Sequence, residues 1–426
     1  MRVVWLVSVT MPQAARLFGL EAGIGGGWLE SQLEALRTRC SVTVIAVNPQ
    51  VKTICQGLSE GVEYILLPRG SLEEFVAVLG RVQPALVHIW GTEYPAAATL
   101  GEIADPDHTL VSIQGVMTAC ARHLNDGVPE KIIRSTFWQR LLDGFVPGHL
   151  PDKMQEEFDA SAQREQAFLK NVRHLTGRTA WDKEEMSRLA PQAAYYHCGE
   201  VLRAPFYQAP VWQRKDFGQA PVLFLPAGNY PLKGLHRLIP ALAKIKQVYP
   251  GVKLQVAGWK PVDKGPALRW LTDAIFPYET WCRKTAQELG VWENIEYTGP
   301  LSCQEMIPAY LDADCVCVCS SVENSPNSLG EAMLLGVPCV ASQVGGIPSM
   351  VNPGEDCLLY PAPDFDALAD RVLQIFREPA LAARLGSLGR VQAAKTYSLD
   401  NTGVLYDIYG QILDAQAPLD YKGGAL

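Results

Sequence analysis

The chain has 426 residues, 48% hydrophobic and 19% charged, which is enough apolar material for two large domains and excludes a disordered chain, a coiled coil and a collagen-like rod. Lys and Arg number 37 against 45 Asp and Glu, a net charge of −8; this excludes a broad basic face for a nucleic-acid polymer but not a local cationic pocket. No apolar run reaches the about 18 residues that span a bilayer, and Met1–Thr10 lacks a basic region and a small-residue cleavage site, so it reads as a buried strand of a protein expected in the cytoplasm.

From that strand onward, β-rich runs alternate with helical stretches. Strands are predicted over Val3–Val9, Val42–Val47, Val62–Leu67, Leu86–Ile89, Leu110–Ile113, His174–Leu175 and Tyr195–His197, then over Val222–Leu225, Lys253–Ala257, Ile295–Tyr297, Cys315–Cys319, Cys339–Ala341 and Cys357–Tyr360. Continuous apolar runs such as Val-Leu-Phe-Leu suit strands buried on both faces. Two such series in tandem predict an α/β protein of two doubly wound, Rossmann-like domains, residues 1–205 and 218–395, with a C-terminal helix and tail over 396–426. The seam falls between Arg203 and Gln219, where Ala204-Pro-Phe-Tyr-Gln-Ala-Pro210 interrupts the pattern. A ligand is expected in the cleft beyond the carboxyl ends of both sheets.

Between the first strand and first helix lies Gly23-Ile-Gly25-Gly26-Gly27-Trp28, whose glycines allow close backbone approach to a phosphate or sugar. About a dozen residues separate it from the strand, and the second strand ends in Asn48-Pro49 rather than an acid, so the dinucleotide fingerprint of a dehydrogenase is not met. Over residues 125–170, Phe137, Trp138, Leu141, Leu142 and Phe145 fall near helical spacing. That stripe is read as a helix packed on its own domain, the alternative being contact with a membrane or a lipid-linked acceptor. Cys315, Cys317 and Cys319 share one strand face with no His near in sequence. They read as buried thiols of a reducing compartment, and no metal site is assigned.

Three segments carry chemistry. Phe224-Leu-Pro-Ala-Gly228-Asn229-Tyr-Pro-Leu-Lys233-Gly234 joins a strand to a helix and puts an ammonium at the cleft mouth, where it neutralises a leaving diphosphate. Glu323-Asn324-Ser325-Pro-Asn327-Ser328-Leu329-Gly330-Glu331 follows the Cys315–Cys319 strand and opens a helix that ends at Gly336. Asn327 or Ser328 is expected to cap that helix, leaving the N–H groups of Ser328, Leu329 and Gly330 free for a phosphate oxygen. Glu331, in the first turn, would accept two ribose hydroxyls, and Glu323 would face a sugar ring. In the first domain, Gln114 and Glu93 stand at strand ends on the acceptor side; Glu93 reads equally well as a loop-fixing carboxylate. The tail from Ala415 is expected to be mobile.

These motifs, with Gly345-Gly346 in Ser-Gln-Val-Gly-Gly-Ile-Pro, resemble glycosyltransferase family 4 over nearly the whole chain. The resemblance implies the GT-B fold and a retaining transferase that uses a nucleotide-diphosphate sugar, with no tightly bound cofactor and no metal. The acceptor would be a hydroxyl of a glycan, a lipid-linked or a small molecule, and the role synthesis of bacterial surface polysaccharide or glycoconjugates, at most peripheral to the inner membrane. It further implies that Glu331 holds the donor ribose, that the Leu329 and Gly330 amides and Lys233 hold the diphosphate, that Glu323 faces the transferred sugar, that the backbone near Leu301 faces the base, and that Gly25 and Gly26 line the donor. Two positions depart from the family. Asn229 stands where Arg is usual, with Arg178 the expected replacement cation. Gln114 stands where His is frequent, and it bonds a sugar without taking a proton. A sugar-nucleotide epimerase or hydrolase on the same fold is the alternative, and a NAD(P)-dependent dehydrogenase the weaker one.

Overall fold

The computed structural model describes residues 1–414 except 22, 24, 146–147, 217, 219, 229, 262–264 and 266–267. The expectations for Asn229 and for the tail from Ala415 therefore lie outside the described residues.

The first sheet is built from β1 (Arg2–Val7), β2 (Ser41–Val47), β3 (Cys55–Ser59), β4 (Val62–Leu67), β5 (Leu86–Trp90), β6 (Thr109–Ser112), β7 (His174–Gly177) and β8 (Ala194–His197). Their spatial order is β3-β4-β2-β1-β5-β6-β7-β8. All pairs are parallel except β3–β4, a hairpin that turns through Glu60 and Gly61, both at positive φ. That edge strand is absent from the sequence expectation, because its residues alternate between half-buried and exposed and include Gly57 and Ser59; they lack the apolar run that marks a strand buried on both faces.

The second sheet comprises β9 (Val222–Leu225), β10 (Lys253–Ala257), β11 (Ile295–Gly299), β12 (Cys315–Val318), β13 (Cys339–Ser342) and β14 (Leu358–Tyr360), in the order β11-β10-β9-β12-β13-β14. Every pair is parallel. Cys315, Val316, Cys317 and Val318 are all buried, as a strand covered by helices on both sides requires. Both sheets reverse their winding beside their first strand, β1 lying between β2 and β5 and β9 between β10 and β12. At such a point two neighbouring crossovers leave in opposite directions and open a crevice at the strands' carboxyl ends.

The helix Asn401–Asp414 packs against the first domain, with Leu405, Ile408, Tyr409 and Ile412 buried beside the helix Gly27–Leu36. The chain thus returns to the domain in which it began. Tyr397 does not belong to this last helix: it ends the preceding one, Pro379–Thr396, and is buried.

Candidate active site

The four crevice strands send out four loops. β1 leads to Gly25-Gly26-Gly27, β5 to Glu93, β9 to Lys233 and β12 to Glu323. Chemistry-bearing residues far apart in sequence are therefore gathered by topology into one interdomain cleft.

Lys233 closes a short 3-10 turn, Pro231–Lys233, and Gly234 follows in the left-handed region at φ 76. A Cβ on Gly234 would stand 1.9 Å from the carbonyl oxygen of Cys319, so the glycine lets this turn lie directly on the loop that carries Glu323. Tyr230, Leu232 and Val322 pack into the first domain's core, which fixes both loops against the opposite domain. Lys233 Nζ reaches Glu323 Oε1 at 2.5 Å, and the same oxygen accepts the Ser320 hydroxyl at 2.7 Å. Burial pulls the lysine's pKa down, but the adjoining Glu323 charge and hydrogen bond carry it above the ordinary lysine value, so Lys233 stays cationic.

Facing this pair, Glu93 Oε1 accepts the Gly115 amide at 2.6 Å, as a loop-fixing carboxylate does. Burial raises the Glu93 carboxyl to about 7, against the pull of the Gly115 hydrogen bond. Cys120 feels the charges of Glu323, Lys233, Glu165 and Glu93, which places all four around one spot. Glu165 is fully buried and clamps the first-domain wall: it accepts Thr92 Oγ1 at 2.6 Å, the Met117 amide at 3.0 Å and the Thr118 amide at 2.8 Å.

The helix Asn327–Leu334 differs from expectation in three ways. It starts behind Pro326 with no side-chain cap, so neither Asn327 nor Ser328 caps it. The Leu329 and Gly330 amides donate to the Pro326 carbonyl at 3.0 and 3.3 Å and are not free, because the helix ladder begins one residue earlier than expected. Glu331 is the fifth helical residue, beyond the first turn. It is buried and held by Arg203 in a two-pronged contact, Nε to Oε1 and Nη2 to Oε2, each 2.7 Å, with Tyr310 Oη at 3.3 Å. Burial raises the Glu331 carboxyl and the Arg203 contact opposes it. Gly330 accommodates a ring: a Cβ there would meet Tyr397.

Arg178, expected as the replacement diphosphate cation, is buried in the first domain. It donates to the Glu200 carboxylate and, at 3.1 Å, to the Gln114 carbonyl. Gln114 gives its side-chain amide to Glu200, and Asn327 also bonds Glu200. Asn324 crosses the cleft, donating to the Gln114 carbonyl at 3.2 Å and accepting Thr179 Oγ1 at 2.8 Å. Ser325 Oγ lies 3.2 Å from Tyr397 Oη, and the Ser328 carbonyl accepts Tyr310 Oη at 3.1 Å. Buried charges must be paired, so each of these groups has settled on a protein partner across or beside the cleft. Gly26 sits at φ 83, where a Cβ would stand 2.5 Å from Val9, whereas Gly25 meets Val9 only at 3.8 Å. Leu301 packs against the second domain's core just before the capping box of Ser302 and Glu305.

The structure thus brings together Lys233, Glu323 and Glu93 in one cluster and Arg178, Gln114, Asn324 and Asn327 in a second, with Glu331 joined to Arg203 in a third. Sequence reasoning passed over Arg203, Glu200 and Glu165. Their only signal is a charged residue in an apolar setting, as in Gly199-Glu200-Val-Leu-Arg203, which gives no partner. Gln32 and Trp90 were also missed: they line a cavity of about 10 Å³ beside Arg178, and the Gln32 amide and the Trp90 indole N–H have no protein partner there.

Residues 213–392, less than half of the chain, match the family model described as "Glycosyl transferases group 1". Over 179 residues the chain is 29% identical to the MMP alpha-(1->4)-mannosyltransferase of Mycolicibacterium hassiacum, covering 42% of this chain and 39% of that protein; it thus spans well under two thirds of that relative's length. Among solved structures, sucrose-phosphate synthase from Thermosynechococcus elongatus superposes with a TM-score of 0.69 at 18% identity, over 97% of this chain and all of the other. Anabaena HepE in complex with UDP and glucose does so with a TM-score of 0.62 at 16% identity, over 96% of this chain and all of the other. At these identities the likeness establishes the fold, which is GT-B: two parallel-sheet α/β domains facing across a cleft.

Proposed function

We propose that the protein is a retaining glycosyltransferase that moves a sugar from a nucleotide-diphosphate sugar, with a UDP-sugar favoured, to a hydroxyl of a glycan, a lipid-linked or a small-molecule acceptor in bacterial surface polysaccharide or glycoconjugate synthesis. The observation that carries this reading is the Lys233–Glu323 ion pair, delivered from the two strands that flank the second sheet's winding reversal and aimed at the first domain. The group 1 match over the second domain and the UDP and glucose complex of the structurally similar HepE support it.

On this reading the diphosphate takes Lys233, and Glu323 turns to the sugar. The bond between the anomeric carbon and the phosphate oxygen breaks, the acceptor oxygen bonds to that carbon on the same face, and the acceptor's proton passes to the leaving phosphate oxygen. The protein's contribution is orientation and charge stabilisation, with no protein nucleophile. A ribose diol reaches Glu331 only by replacing the two Arg203 donors, so donor binding is coupled to displacement of Arg203. No second cation is assigned to the diphosphate, because Arg178 is committed to Glu200.

A thermal-shift panel of UDP, GDP, ADP and dTDP tests the donor call, since a ligand that binds the folded state raises the melting point by mass action. UDP is expected to give the largest shift. Lys233→Ala is expected to abolish that shift and cut transfer about 100-fold or more. Glu331→Ala is expected to cut transfer equally and also to lower stability by about 3–5 kcal/mol, since it strands the half-buried Arg203. Full transfer by Lys233→Ala, or no shift with any nucleotide, overturns the reading. Donor incubated alone and returned with an altered or released sugar would favour the epimerase or hydrolase instead.

A further inference from the structure

The aromatic stripe near residue 140 is not packed on its own domain, against the reading preferred from sequence. Phe137 is 74% exposed, Trp138 68% and Phe145 78%, with Leu141 also exposed. Of the six exposed Phe and Trp side chains among the described residues, five lie either here or at Trp259 and Trp270 of the second domain. The two groups adjoin: the helix Phe137–Asp143 packs on the helix Arg269–Ile275, with Gln139 Nε2 on the Ala274 carbonyl at 3.0 Å and the His149 amide on the Ile275 carbonyl at 2.8 Å. One corner built from both domains therefore carries nearly all of the molecule's exposed large aromatic surface.

Beside these rings lies a hollow of about 230 Å³ whose charged lining is Lys260, Arg269, Arg283, Lys284 and the single carboxylate Asp273. Lys260 follows Trp259 and Arg269 precedes Trp270 in the chain, so cation and ring alternate at the same edge. We propose that this corner docks on the surface of an anionic lipid bilayer, the aromatic side chains entering the headgroup boundary and the hollow receiving a lipid phosphate. Trp and Phe combine an apolar body with the shallow burial that boundary offers, and each cation near an anionic surface adds attraction worth about fivefold in binding. An interface between protein chains is normally depleted in Lys, whereas here two exposed lysines stand in the patch. The net charge of −8 repels such a surface from the rest of the molecule, so the local excess of cations also sets the orientation.

Co-sedimentation of the full chain with vesicles of phosphatidylcholine alone, or mixed with phosphatidylglycerol, tests this. Binding is expected to the mixed vesicles, to weaken with added salt, and to fall about tenfold or more in Phe137→Ser/Trp138→Ser and in Lys260→Glu/Lys284→Glu. Circular-dichroism melts check folding; if the aromatic pair fails to fold, the charge pair and the salt titration decide. No binding to mixed vesicles, or undiminished binding by the folded variants, overturns the proposal. So does self-association in light scattering that the aromatic substitutions abolish while vesicles stay unbound, which would assign the corner to a second copy of the chain. None of these readouts depends on nucleotide binding.

Discussion

Each titratable residue in the cleft takes its character from its neighbours. Glu93 and Glu323 are both carboxylates in the same hollow, yet Glu323 has an ammonium at 2.5 Å while Glu93 has only an amide. Burial therefore lifts Glu93 to about 7 from an ordinary 4.5. A carboxyl raised in the folded state binds its proton more tightly there than in the unfolded chain. The stability it contributes is complete below about pH 4.5 and is lost as pH rises through about 7. Melting temperature is thus expected to fall between about pH 5 and 8, and Glu93→Gln, which cannot ionise, is expected to flatten that fall. An identical slope in both proteins would remove Glu93 from the account.

At the scale of elements, the last helix shows how a segment remote in sequence is locked to the first sheet. Burial drives the His88 pKa well below its ordinary value, so the ring is neutral, with one donor and one acceptor nitrogen. Trp5 Nε1 donates to Tyr409 Oη at 3.0 Å, Tyr409 Oη donates to His88 Nδ1 at 2.6 Å, and His88 Nε2 donates to Ser112 Oγ at 2.7 Å. The acceptor role of Nδ1 follows because the indole can only donate. Tyr409→Phe removes one oxygen and strands two buried groups, an expected loss of about 2–4 kcal/mol, read as a lower urea midpoint. The apolar stripe of this helix is plain in its sequence, but its partner Trp5 lies 404 residues away and has no local signal.

At the scale of the molecule, the two domains meet through polar groups as well as packing. Asn324 is buried in the interface, with its amide on first-domain carbonyls and its oxygen on Thr179; the Ala180 amide meets Ser349 Oγ at 3.3 Å, and His236 Nε2 meets the Asp126 carbonyl at 3.0 Å. Interfaces of this mixed kind permit relative domain motion. Asn324→Ala leaves Thr179 and two carbonyls without partners and is expected to open the cleft. Small-angle scattering reads this as a larger radius of gyration, and an unchanged radius would show that packing alone holds the cleft closed.

Twelve parallel strands of the two sheets follow from apolar runs bounded by Gly, Pro and Asn, because a strand covered on both faces needs no partner to reveal it. Lys233, Glu323 and Glu331 are marked by their places between strand and helix, since backbone connectivity alone puts those turns at a sheet's carboxyl end. Which cation faces which carboxylate was decided only by the docking of the domains: Arg203 took Glu331, Arg178 took Glu200 and Lys233 took Glu323. Pairing depends on distances through space, and a buried charge settles with whatever opposite charge the fold brings within reach. The same docking left the rings of Phe137, Trp138 and Phe145 uncovered, because helical spacing marks an apolar face but not what covers it.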